Sequence, residues 1–192
     1  TVLMSIVNGI QGKPLLNPVN ELIENLDTWV IFLLTVVAAP IFEELLYRKL
    51  LIDRVAHYGD RVAIILSGVL FGLSHGNFYQ FFYAFGLGVV FAYVYINTGK
   101  IRYTIIFHAV INFMGSIVAL RAADNIWFAM AYGIFMIAAV VLGVVFLILY
   151  RREIRLKPAM LAIPRGRRFE TLFLNLGMIL FFFVSVGLFL FS

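Results

Sequence analysis

The chain has 192 residues, of which 63% are hydrophobic and only 13% charged, with a mean hydropathy of +1.00 and a net charge of +5. A soluble domain carries about a quarter charged residues, so this composition excludes an ordinary soluble fold and describes a polytopic membrane protein. There is no cysteine, which removes thiol nucleophiles, thiolate metal sites and disulfides, and the positive charge beside apolar segments reads as a topology signal rather than a nucleic-acid surface.

Residues 1–10 read as the tail of an apolar helix and predict a further membrane segment upstream. Residues 11–27, with Gly12, Pro14, Asn17 and Pro18 before Glu21, Glu24 and Asp27, read as a loop followed by a short amphipathic helix. A helix needs about 20 apolar residues to cross the hydrocarbon core. Such segments fall at 28–52, 62–77, 79–97, 103–120, 127–150 and 171–191. The second is short and ends at Gly76 and Asn77, where a tight turn leads straight into the third. The breaks at 53–61, 98–102, 121–125 and 151–170 are polar, and no internal repeat or low-complexity linker divides the chain. The expectation is an all-α fold: a transmembrane bundle of about six spans around a buried polar cavity, with residues 28–192 as one membrane domain.

Basic residues set the orientation. If the breaks at 53–61, 98–102 and 151–170 share a side, that side, with Arg48 and Lys49 at its margin, holds thirteen of the fifteen Lys and Arg. Lys13 and Arg121 are left opposite. The positive-inside rule makes the basic side cytoplasmic.

Within the first span, Glu43 and Glu44 interrupt an apolar run, and Arg48 follows one turn later. A carboxylate at mid-membrane costs about 2.5–3.5 kcal/mol on insertion scales, so two together call for a reason. Glu44 and Arg48, four apart, share a helix face and can pair, while Glu43 is rotated by about 100° and points elsewhere. The bland alternative is a helix-end salt bridge with Arg48 snorkelling to the membrane surface. His75 and His108 also fall in apolar runs, with Phe71 one turn before His75 and Asn112 one turn after His108. Counted along helices rising about 1.5 Å per residue, Glu43, His75, His108 and Asn112 reach similar depths on three different helices. Taken singly, a membrane histidine is often just a tie between helices. Ser74 and His75 are sequence neighbours and would not face each other on a helix. No Asp lies within a span, which argues against an aspartyl dyad, and His57 in a basic break reads as a solvated residue.

Together the three fragments resemble a known family. Glu43-Glu44-Leu45-Leu46-Tyr47-Arg48 is similar to its EExxxR motif, Phe71-Gly72-Leu73-Ser74-His75 to its FxxxH, and His108-Ala109-Val110-Ile111-Asn112 to its HxxxN. The order and spacing resemble the CAAX protease and bacteriocin-processing family, also called Abi or type II CAAX prenyl endopeptidase-like proteins, over a motif-bearing core of about residues 28–120. The resemblance implies a multi-pass intramembrane endopeptidase of a prokaryotic cell membrane, with its active site opening towards the cytoplasm. It implies that Glu43 and His75 activate a water, that His108 and Asn112 stabilise the oxyanion, and that Glu44, Arg48 and Phe71 support them. Its substrate would be a peptide or membrane-protein tail, possibly lipidated. No cofactor is favoured. The alternative is a zinc peptidase holding its metal with Glu43, His75 and His108, which would give the three protein ligands of an open catalytic site. Outside enzymes, the rivals are a non-catalytic membrane scaffold or immunity protein, and a transporter. A transporter should show paired half-helices or internal symmetry, which this sequence does not.

Overall fold

The computed structural model describes residues 26–161 and 165–191, so the upstream helix tail, loop and amphipathic segment expected at 1–25 lie outside the described residues. The described chain is helical without a strand. Helix α1 runs unbroken through Thr28–Tyr58 for 31 residues, six beyond the end of the apolar run. Two contacts across one helical turn carry it on: Lys49 pairs with Asp53 at 2.7 Å, and Arg54 Nη1 donates to the Leu50 carbonyl at 2.8 Å. Gly59, at φ 97°, ends it in a conformation that side-chain-bearing residues rarely adopt.

Pro40 lies inside α1, buried, and cannot donate to the preceding turn. The helix accommodates it by widening into a π-helical stretch at Phe32–Ala38. A second π stretch occupies Leu45–Ile52. The two glutamates therefore sit on the short α-helical segment Ala39–Glu44 between two widened turns. Such insertions re-aim side chains and recur at functional sites.

Helices α2 (Asp60–Leu73) and α3 (Phe78–Thr98) form an antiparallel hairpin. A Cβ on Gly88 would lie 2.9 Å from the Gly68 Cα, so the two backbones approach as closely as only paired glycines allow. The expected second span, 62–77, is shorter than its apolar run: α2 stops at Leu73, and Ser74 to Asn77 form the turn. Asn77 causes this, because its side chain caps α3 by accepting from the Gln80 amide at 3.0 Å. With 14 residues, α2 is about 21 Å long, less than the roughly 30 Å of a bilayer core. The turn carrying His75 is therefore reached by a helix too short to cross a bilayer by itself.

Helix α4 (Ile101–Ala122) packs on α1, and α5 (Ile126–Tyr150) follows after a turn capped by Asn125. No residue of α5 is buried, and Tyr132 ties it to α4 by donating to the Met114 carbonyl at 2.8 Å. Of these helices, α1, α3, α4 and α5 are long and apolar enough to cross a membrane. The expected sixth span divides. A short α6 (Arg168–Phe173) gives way to α7 (Leu176–Phe191), because Asn175 accepts from the Met178 amide at 3.0 Å and starts a new helix. The α7 side chains Met178, Phe181 and Phe182 pack on a core of Tyr47, Leu66, Leu70, Phe71 and Ala84. Leu188 abuts Gly76 in the α2–α3 turn. Among the described residues, four long apolar helices, the shorter apolar α7 and the hairpin helix α2 thus make an all-α, multi-pass membrane bundle.

The three basic breaks do meet at one end. Asp60 Oδ2 accepts from the Lys157 amide at 2.7 Å, and the His57 carbonyl accepts from the Met160 and Leu161 amides. Ile101 and Leu156 pack on one core with Ile52, Ala63 and Tyr95.

Candidate active site

The centre of the bundle holds a polar cluster contributed by α1, α2 and α4. Glu44 and Arg48 have no exposed surface. Their side chains meet at 3.0 Å between Arg48 Nε and Glu44 Oε2, although neither atom completes an aligned hydrogen bond. The contact is an ion pair rather than a directed bond. This excludes snorkelling: Arg48 points inward, its guanidinium lying over the ring of Phe71 at 4.8 Å and near that of Phe91 at 5.7 Å. Aromatic faces attract a cation most strongly where water is excluded. Arg48 Nη1 also donates to Ser67 Oγ on α2 at 2.7 Å, and Ser67 donates to the Tyr47 carbonyl at 3.0 Å.

The second oxygen of Glu44 reaches α4, where Oε1 lies 3.0 Å from Nδ1 of the buried His108. A carboxylate can only accept, so Nδ1 carries the proton and donates it to this bond. In the neutral ring, Nε2 is then left as a lone pair. It faces Glu43, whose Oε2 is 3.7 Å away. That separation is too long for a hydrogen bond, but it sets a carboxylate and an imidazole nitrogen side by side. Glu43 keeps 32% of its side-chain surface exposed while Glu44 keeps none. One glutamate is locked into the protein and its neighbour is part-exposed, as their rotation around the helix dictates, although the Glu43 oxygen that faces His108 is itself buried with no hydrogen-bond partner among the described residues.

Phe71 organises the histidines. Its ring makes edge contacts with His75 at 5.0 Å and with His108 at 5.5 Å between centroids. The imidazole of His75 is held in place by Nδ1 donating to the Phe71 carbonyl at 2.8 Å, which in the neutral ring makes Nε2 the acceptor. Asn112 is directed elsewhere: its Nδ2 donates to the Thr35 carbonyl, in the first π stretch, at 2.8 Å. Ser116 donates in turn to the Asn112 backbone carbonyl at 2.6 Å. The structure therefore brings Glu43, Glu44, Arg48, Phe71 and His108 into direct contact, joins His75 through Phe71, and ties Asn112 to α1.

Ser67, Phe91 and Thr35 belong to this network and were not singled out by the sequence. A lone serine in an apolar span carries no spacing signal towards an arginine nineteen positions earlier. An apolar cavity of about 350 Å³ opens beside the His75 turn, between Leu73, Phe78 and Phe81 and the α7 residues Phe182, Ser185 and Phe189. The polar cluster does not line it.

The zinc alternative was tested on geometry. Among the described residues, no three His, Asp or Glu side chains are gathered to hold a metal ion. Within the set Glu43, His75 and His108, Nδ1 of each histidine is spent on an oxygen, the Phe71 carbonyl for His75 and Glu44 for His108, an arrangement that metal-bound histidines also use. No step below passes through a metal.

Residues 25–114 match the family model described as type II CAAX prenyl endopeptidase Rce1-like, a stretch that contains all three motifs. The membrane-embedded CAAX protease MroQ of Staphylococcus aureus (strain USA300) is 27% identical over 118 residues, covering 58% of this chain and 47% of that protein. The UPF0177 protein YbdI of Lactococcus lactis subsp. lactis (strain IL1403) is 33% identical over 90 residues, covering 46% of this chain and 49% of that protein. The chain spans about half the length of these curated relatives. No solved structure matches. The resemblance carried by the motifs thus has independent support, and this stretch of the chain is similar to that family.

Proposed function

We propose, with an Rce1-like segment at residues 25–114 as the premise, that this chain is an intramembrane endopeptidase acting through a water activated by Glu43. One observation carries the reading: Glu44 is immobilised between Arg48 and His108, while Glu43, part-exposed, sets an oxygen with no hydrogen-bond partner among the described residues beside Nε2 of His108. Two adjacent acids at such different exposures match a division between a supporting group and a reacting one.

In the proposed mechanism a water enters beside Glu43, oriented by Nε2 of His75. Its oxygen attacks the scissile carbonyl carbon and Glu43 takes its proton, the ordinary work of a positioned carboxylate base. The proton passes to Nε2 of His108. The imidazolium then donates to the oxyanion, its charge balanced through Nδ1 by Glu44, as a carboxylate behind an imidazole does in hydrolytic triads. Asn112, one turn further along α4, offers the oxyanion the second N–H of its amide. Collapse breaks the C–N bond, and His108 returns the proton to the leaving amine. No metal is assigned. The substrate is a peptide or membrane-protein tail in the bilayer, with CAAX-type or precursor-peptide processing as its class, reached from the basic, cytoplasmic end.

The test is proteolysis by the full chain in lipid nanodiscs. Membrane peptides incubated with wild type and with Glu43→Gln are compared by mass spectrometry. Cleavage products present with wild type and absent with a folded Glu43→Gln protein are expected. Equal cleavage by both would exclude this mechanism.

A further inference from the structure

We infer that Ser67 is a positioning residue: its hydroxyl orients Arg48, Arg48 orients Glu44, and Glu44 sets the tautomer and ring direction of His108. The inference rests on the proposed reading for its consequence in catalysis, and on geometry alone for its consequence at His108. Ser67 is fully buried on α2, outside the three motifs. Arginine has no acceptor, so Ser67 Oγ must accept from Nη1 at 2.7 Å, and its own proton goes to the Tyr47 carbonyl at 3.0 Å. Its one donor and one of its two acceptor lone pairs are therefore spent on α1, which fixes the rotation of the hydroxyl.

The bond matters because of what the guanidinium lacks. Among the described residues, Arg48 Nη2 meets no hydrogen-bond acceptor, and Nε meets Glu44 without hydrogen-bond alignment. Among the described residues, the bond from Nη1 to Ser67 is the single aligned hydrogen bond the guanidinium makes. The faces of Phe71 and Phe91 hold the cation in a plane but do not select a rotation within it, since attraction to a ring face has no donor direction. Ser67 supplies that direction. With it, Nε faces Glu44 Oε2, which leaves Glu44 Oε1 aimed at His108 Nδ1. Without it, Nη1 becomes a second unpartnered donor in an apolar enclosure. The guanidinium then turns to claim both carboxylate oxygens, a favoured bidentate arrangement, and Glu44 Oε1 is withdrawn from His108. Nδ1 loses its acceptor, and both neutral tautomers of the ring become accessible.

The full chain in nanodiscs, labelled with ¹⁵N-histidine, gives three imidazoles to read: His57, His75 and His108. His57→Gln and His75→Gln spectra assign them. Four variants are compared with wild type: Ser67→Ala, Ser67→Val, Ser67→Thr and Ser185→Ala. Thr and Val have nearly the same shape, so their difference isolates the hydroxyl, and Ser185→Ala controls for loss of another buried hydroxyl. The expected result is one Nδ1-protonated tautomer at His108 in wild type, Ser67→Thr and Ser185→Ala, and a tautomer mixture in Ser67→Ala and Ser67→Val. On any peptide that wild type cleaves, kcat should fall on the order of ten- to a hundred-fold in Ser67→Ala and Ser67→Val with KM nearly constant, the scale for misplacing a reacting group from a distance. Ser67→Thr should restore kcat. A wild-type His108 protonated at Nε2, or identical spectra for Ser67→Thr and Ser67→Val, would overturn the inference while leaving a cleaving protein a protease. If wild type cleaves nothing, the proteolytic reading fails, and the tautomer spectra still decide the role of Ser67.

Discussion

Replacing Arg48 by methionine keeps the length of its stem and removes its charge, leaving the Glu44 carboxylate inside the bundle with His108 Nδ1 as its hydrogen-bonded partner. At the observed 3.0 Å, the gross attraction between unit charges is about 5–6 kcal/mol for an effective dielectric of about 20. Much of that offsets the cost of taking both ions out of water, so the pair adds little net stability. Breaking it from one side is different, because the desolvation of the remaining ion is no longer offset. A loss of roughly 3–5 kcal/mol is expected for Arg48→Met, a large share of the 5–15 kcal/mol that typically holds a domain together. Glu44→Gln/Arg48→Met removes both charges and should recover most of this loss, so a double-mutant cycle should return a coupling of several kcal/mol. The assay is reversible unfolding of the solubilised protein in mixed micelles with increasing SDS, followed by circular dichroism and tryptophan fluorescence. Wild-type stability in Arg48→Met, or a double variant as unstable as the summed single variants, would refute the buried pair.

Asn112→Ala should lower the cleavage rate roughly 10²–10³-fold, the usual scale for one oxyanion donor. It should cost only about 1 kcal/mol of stability through its lost bond to Thr35, both read in the same preparation by turnover and SDS unfolding. Gly88→Ala should destabilise by about 1–3 kcal/mol, since its Cβ would press on the Gly68 backbone at 2.9 Å, whereas Gly133→Ala, with open space around it, should leave unfolding unchanged. If the proposed proteolysis is observed, chelators should leave it unchanged in the purified protein. Stoichiometric zinc in active protein, with activity lost on chelation and restored by zinc alone, would reverse that expectation.

What the sequence determined by itself is local or additive. The lengths of its apolar runs set the all-α class and the number of spans, because a backbone in lipid must satisfy its hydrogen bonds within one helix. The four-residue spacing of Glu44 and Arg48 predicted their pairing, and the adjacency of Glu43 and Glu44 predicted that they would diverge, because both follow from the 3.6-residue turn. The motif spacing pointed to the family that residues 25–114 match.

Tertiary structure decided where those side chains spend their bonds. Arg48 was free by sequence to snorkel, and is buried because α2 brings Ser67 and Phe71 against it. His108 meets Glu44 across 64 positions of chain, and Asn112 meets Thr35 across 77. No periodicity encodes such distances. The ends of α2 and α6 also differ from the apolar runs, since Asn77 and Asn175 each give their side chain to the amide three residues on and start a new helix. Hydropathy weighs an asparagine as one polar residue among many apolar ones. It does not register that a single side chain, by satisfying a backbone donor, can choose where a helix begins.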